Sequence, residues 1–166
     1  MVAMSIFLIF VVVAIGGFIQ ALTNQRLVLK LAAATDNMSL TIEQIMREIR
    51  VANNFSVGDG TQLQFDRLID ENGVTANKTV TYTWNQANNS ITRTVSDING
   101  GNSTSAQMTA TNVEISYFNM SDSLYRSPGP CRITMVFGVT AVDRGLSITN
   151  FIQTTASSRI FTTQCQ

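Results

Sequence analysis

The sequence predicts an α+β protein in which one long N-terminal α-helix protrudes from, and packs on, an antiparallel β-sheet head. Three observations carry that prediction. No charged residue occurs from Met1 to Leu22, no Gly or Pro follows Gln25 until Gly58, and alternating strand-like segments fill the remainder. The chain therefore divides into an apolar half-helix over 1–25, an amphipathic half of the same helix over 26–53, and a β-rich head over 54–166.

The opening stretch, MVAMSIFLIFVVVAIGGFIQALTNQR, sets the first element. About 20 apolar residues suffice for a helix to cross the hydrocarbon core of a bilayer. A cleavable secretory signal has a basic start and a shorter apolar run, whereas the first ionisable side chain here is Arg26. A core helix of a soluble domain is disfavoured, because the segment is apolar on every face and the chain has little else with which to surround it. The segment reads as a membrane-embedded helix, with Ile6, Phe7, Ile9, Phe10, Val13 and Phe18 in contact with lipid or with other helices. Gly16–Gly17 is a point where such a helix bends or unwinds, or where a second helix packs closely.

Beyond Gln25 the helical pattern becomes one-sided. Leu31, Ala34, Met38, Ile42, Ile45, Met46 and Ile49 recur at steps of three and four. Such a stripe has to be buried against something. Leu31, Met38, Ile42, Ile45 and Ile49 are the expected contacts between helix and sheet, while Arg26, Lys30, Glu43, Arg47, Glu48 and Arg50 fall mostly on other faces. Glu43 and Arg47 form a favourably ordered i,i+4 pair.

The head reads as strands. Thr79–Trp84 and Ser90–Ser96 alternate around Asn85-Gln-Ala-Asn-Asn89, which is a hairpin signature. Val113, Ile115 and Tyr117 mark one face of a further strand, and Arg132–Thr140 and Asn150–Phe161 make two more, joined through Asp143-Arg144-Gly145. A shorter strand is expected through Gln62–Phe65. The small polar stretch DINGGNSTSAQMTA reads as a loop, and Ser-Pro-Gly-Pro before Cys131 as a rigid turn. Cys131 starts the penultimate strand and Cys165 follows the last. If those strands pair antiparallel, the two thiols meet at one end of the sheet, where a disulfide is geometrically reasonable. It would close a loop of about 35 residues and stabilise the fold by roughly 3–4 kcal/mol in the chain-entropy account. A disulfide implies an oxidising compartment.

Composition excludes more than it selects. Eleven basic and eleven acidic side chains leave no net charge, so no general attraction to nucleic acid is expected. There is no His, which removes the commonest general base and transition-metal ligand. No nucleophile elbow or phosphate loop occurs, so an enzyme is not expected, nor is a cofactor. Asn37, Asn54, Asn77, Asn88, Asn102 and Asn119 fit N-x-S/T, as expected by chance in a chain so rich in Asn, Ser and Thr. Asp66 and Asp70-Glu-Asn-Gly73 offer oxygen ligands for calcium, but their spacing does not match an EF-hand and Glu-Asn-Gly is first of all a turn.

The stretch VAMSIFLIFVVVAIGGFIQALTNQR resembles the N-terminal helix of type IV pilins and type II secretion pseudopilins, just past their conserved start. In that family it follows Phe-Thr-Leu-Ile-Glu, created when a prepilin peptidase cuts after a Gly. Met1 stands where the family would be just past its Glu, so the expectation is a native chain that extends upstream, the alternative being an unusual member that lacks the motif. MREIRVANN, SITRTVS, ATNVEISYFN and FIQTTASSRIF further resemble the large minor pilins, the J-type pseudopilin of secretion systems and the W-type minor pilin of twitching systems. In those proteins an Arg in the second hairpin strand, here Arg93, and a Thr-Thr-x-x-x-Arg ending, here Thr154, Thr155 and Arg159, recur. The plain alternative for both Arg is an exposed strand residue.

The resemblance implies a pilin-like fold and a structural role. Before assembly the apolar helix holds the subunit in the inner membrane with its head outside. An assembly platform then moves it into a filament beside other pilin or pseudopilin subunits, at or near the tip. The alternative is a bitopic, membrane-anchored binding domain that shares the helix and the sheet but does not assemble.

Overall fold

A computed structural model describes residues 2–71, 74–98, 101–110, 113–124 and 129–162. Helix α1 runs from Val2 to Ile49 without interruption, 48 residues or about 70 Å at the usual rise. It passes straight through Gly16 and Gly17, beside which a methyl group would meet nothing within 4 Å. Its two halves differ as their side chains dictate. The first is exposed along its length, and in the second Leu27, Ala34, Met38, Thr41, Ile42, Ile45, Glu48 and Ile49 are buried in steps of three, four and seven. Of the expected sheet contacts, Leu31 is only half-buried. The stripe enters the head one turn either side of it, at Leu27 and Ala34.

The eight strands are β1 (Asn53–Gly58), β2 (Gln62–Glu71), β3 (Val74–Asn85), β4 (Ser90–Asp97), β5 (Ser103–Gln107), β6 (Glu114–Leu124), β7 (Gly129–Asp143) and β8 (Leu146–Thr162). They form not the single sheet expected but two, β1-β2-β3-β4-β5 and β6-β7-β8. Every pairing is antiparallel and joins neighbours in sequence. The split lets both sheets turn their apolar faces to one core with α1. Leu63, Phe65, Val80, Tyr82 and Ile91 come from the first sheet, and Ile115, Phe118, Ile133, Met135 and Phe137 from the second. Trp84 of β3 and Phe118 of β6 meet across the junction with ring centroids 6.1 Å apart. Backbone bonds from Met120 N to Gly60 O (2.8 Å) and Ile115 N to Asn89 O (3.0 Å) tie the sheets at their seam. Helix α1 lies against β7 and β8.

The expected hairpin forms in register, Trp84 opposite Ile91 and Asn85 opposite Ser90. Its turn is built by the Asn85 side chain, whose Oδ1 accepts from Ala87 N (2.9 Å) and Asn88 N (3.3 Å). Arg144 and Gly145 join β7 to β8 with φ of 49° and 83°, the left-handed pair that a two-residue hairpin turn requires. Four other expectations are corrected. The stretch read as a loop contains β5, exposed at every position and held by its ladder to β4 rather than by any apolar pattern. The short strand at Gln62 extends to Glu71. Gly129 and Pro130 already belong to β7, beside a register shift that tolerates the proline.

The fourth correction concerns Tyr117, which does not share a face with Val113 and Ile115. A bulge between Ile115 and Tyr117 shifts the alternation, so Phe118 turns inward and Tyr117 is exposed. Tyr117 then meets Phe151 edge-on at 6.1 Å over Gly138, where an added Cβ would lie 2.9 Å from Tyr117 Cβ.

Candidate functional site

The feature of greatest extent is the bare half of α1. Ile6, Phe7, Ile9, Phe10, Val13 and Phe18 are each more than half exposed, and the most apolar window of the helix has a mean hydropathy of 2.8 with none of it buried. An apolar surface of this size on a soluble monomer would be far beyond the ordinary. By length and composition α1 is able to cross a membrane.

At the other end of α1 the helix is locked to the head by a carboxylate. Glu48 sits at the 41–45–48 spacing of the buried stripe, and its side chain is 8% exposed. Its Oε2 accepts from the Tyr82 hydroxyl at 2.8 Å and from Arg93 Nε at 3.2 Å. Oε1 accepts from Arg93 Nη2 and Arg67 Nη1, both at 2.9 Å. The Arg93 pairing is bidentate, the strongest geometry open to a guanidinium and a carboxylate. Three strands of the first sheet, β2, β3 and β4, thereby converge on the last turn of the helix. Burial alone would lower the Arg93 pKa, but the Glu48 carboxylate more than offsets it and holds the guanidinium above its ordinary value.

Arg93 is therefore an inward-facing anchor and not the exposed strand residue of the plain alternative. Glu48, placed on another face by its charge, is the residue that sequence reasoning missed. With its lone pairs committed to three side chains, it is built to hold the helix to the sheet.

Burial, and after it the Glu48 charge, pushes the Tyr82 pKa well above its ordinary value. The folded state thus favours the protonated phenol. Its contribution is fully present below the unfolded value of about 10 and is lost as pH rises beyond it. Urea midpoints measured from pH 8 upward are expected to fall more steeply above pH ~10 in the wild type than in Tyr82→Phe. Equal slopes would mean that Tyr82 does not couple to the fold.

Two smaller ties complete the junction. The Ser158 hydroxyl donates to Ala52 O (2.9 Å) and Arg159 N to Arg50 O (3.0 Å), fixing the exit from α1 against β8. Arg159 acts there through its backbone, with an exposed side chain. Of the Thr-Thr pair, the Thr154 hydroxyl donates to Met46 Sδ at 3.5 Å and Thr155 bonds Thr134 at 3.1 Å. Higher on the helix, Lys30 Nζ donates to Asp143 Oδ1 at 2.7 Å, and this hydrogen bond is the main reason the Asp143 carboxyl is held below its ordinary pKa.

No protein-family model, no curated protein and no solved structure matches this chain. The fold and its junctions are the observations from which a function has to be argued.

The remaining expected sites are placed as follows. Cys131 is disulfide-bonded, and the other cysteine of the sequence, Cys165, lies outside the described residues. Asp66 is engaged, accepting from Asn54 Nδ2 (3.0 Å) and Thr79 Oγ1 (2.7 Å), while Asn72 and Gly73 of the possible calcium turn lie outside the described residues. Among the described residues no group of three His, Cys, Asp or Glu is placed to hold a metal ion. Asn37 lies within α1, its amide donating to Ala33 O at 2.9 Å.

Proposed function

We propose that this chain is a structural subunit of the type IV pilin and pseudopilin class, a minor subunit that is anchored in the inner membrane before assembly and placed at or near a filament tip afterwards. The observation that carries this reading is a single 48-residue helix whose first half buries nothing and whose second half is locked to a strand-rich head. A helix needed only as an anchor has no reason to continue as one rigid rod into the head. A helix that must exchange lipid for neighbouring apolar helices does, because the rod transmits the position of the head to the bundle. Apolar neighbours offer Ile6, Phe10 and Val13 an environment close to that of lipid, so the exchange costs little. The role is non-catalytic, and the partners are other pilin or pseudopilin subunits and an assembly platform.

The test uses the full chain in its own cells, with Val13→Cys in the apolar half. Co-purification with sheared surface or periplasmic filaments, and oxidative cross-links from position 13 to another subunit, are the expected results. Recovery solely from the membrane fraction, with no cross-link to any subunit, would leave α1 as an anchor and make the protein a bitopic domain.

A further inference from the structure

The turn between β7 and β8 sits beside the point where α1 stops being apolar. Val2–Leu22 spans about 30 Å as a helix, the thickness of a hydrocarbon core. Arg26 and Lys30 then lie roughly 6 and 12 Å beyond its edge, at and just above the layer of lipid headgroups. The hairpin tip is fastened at this level, because Lys30 Nζ reaches both Asp143 Oδ1 (2.7 Å) and Val142 O (3.5 Å). Arg26 and Arg144 are close enough to act on the same carboxylate. Asp143 is thus one anion among three cations. Around them Val142 and Leu146 are each nearly half exposed, and Val28 and Leu29 more so. Exposed aliphatic side chains interleaved with cations in excess of anions, at the mouth of an apolar helix, match the chemistry of a membrane surface.

We infer that the Val142–Leu146 hairpin tip is a second membrane contact, in which Arg26, Lys30 and Arg144 bind the phosphates of anionic phospholipids while Val142 and Leu146 enter the interface. The inference rests on α1 spanning the bilayer. It adds that the head does not swing freely above that span but is seated on the lipid, with the Lys30–Asp143 pair setting its height. The patch carries a net excess of positive charge in a chain whose total charge is zero, so the complementarity is local and directed. No other occupant is required, since insertion of the neighbouring helix already delivers the patch to the headgroups.

The experiment reconstitutes the full chain in vesicles of phosphatidylcholine alone and of phosphatidylcholine with phosphatidylglycerol. A fluorophore is attached through Ser147→Cys at the tip or through Val13→Cys in the helix. Cys131 is disulfide-bonded and does not compete for the label under non-reducing conditions, and the unsubstituted chain is the labelling control. Quenching by headgroup-spin-labelled lipid and by an aqueous quencher is compared. The expected result is strong lipid quenching at position 147 in the phosphatidylglycerol vesicles. It should be several-fold weaker in phosphatidylcholine alone, in high salt, and in Arg26→Gln or Arg144→Gln.

A position 147 label that only the aqueous quencher reaches, while position 13 stays shielded, would overturn the inference and leave the span intact. Lipid quenching that is equal in both vesicles would overturn the role of the anionic headgroups. Aqueous quenching at position 13 would remove the span, and the inference with it.

Discussion

Glu48→Ala is expected to destabilise the protein by about 3–5 kcal/mol, the penalty for removing one partner of a buried ion pair. The cost arises less from the bonds lost than from what remains: two guanidinium groups with side chains about one-fifth exposed, and a Tyr hydroxyl, all aimed at an empty position. Arg67 Nε is already buried without a hydrogen-bond partner among the described residues, so losing Glu48 would add to an existing deficit. Glu48→Gln preserves the volume but not the charge, and is expected to recover only a minor part of the loss. Urea unfolding of the full chain in detergent, followed by the fluorescence of the single Trp, measures the difference. A change below about 1 kcal/mol, the value of an exposed pair, would show that the cluster is hydrated and incidental.

Phe137→Ala is expected to cost a similar 3–5 kcal/mol for a different reason, the cavity left by an aromatic ring in a closed core. Phe137 is fully buried and stands edge-on to Phe118 with centroids 5.2 Å apart, and Phe118 in turn touches Trp84. The three rings run from β7 through β6 to β3, so they carry packing from one sheet to the other. The variant should therefore alter Trp84 emission even in the folded state. Phe151→Ala, on the outer face of β8 where the ring is 64% exposed, is the matched control. Equal losses at the two positions would mean that the sheets do not share a core.

Where side-chain chemistry and position agree, the fold was legible in the sequence. Asn85–Asn89 reads as a turn because Asn hydrogen-bonds its own backbone, and it does so here. The helical stripe reads correctly at Met38, Ile42, Ile45 and Ile49 because those side chains are apolar. Reading failed where the two disagree. Glu48 occupies a stripe position while carrying a charge, and only the Arg and Tyr brought from strands far along the chain make its burial tolerable. β5 is a strand without a buried face, so its pairing left no apolar trace. Tyr117 and Phe118 exchange faces at a bulge that periodicity of two cannot anticipate. The partition into two sheets is likewise a consequence of core closure, and core closure is not a local property.

Each strand ladder here closes between neighbours in sequence, yet α1 packs against β7 and β8, the last two strands in the chain. The bond from Ser158 to Ala52 joins positions 106 residues apart. In kinetic terms the hairpins can zip as soon as each is made, and the Glu48 end of α1 can meet β2–β4 early. Packing of the helix on β7 and β8, by contrast, must await the final strands and the closure of a very long loop. Met38, Ile45 and Ile49, buried in the finished molecule, are fully covered only once β7 and β8 have been made. The interval between the emergence of α1 and that of β8 is accordingly when a protease or a holding chaperone has its opportunity.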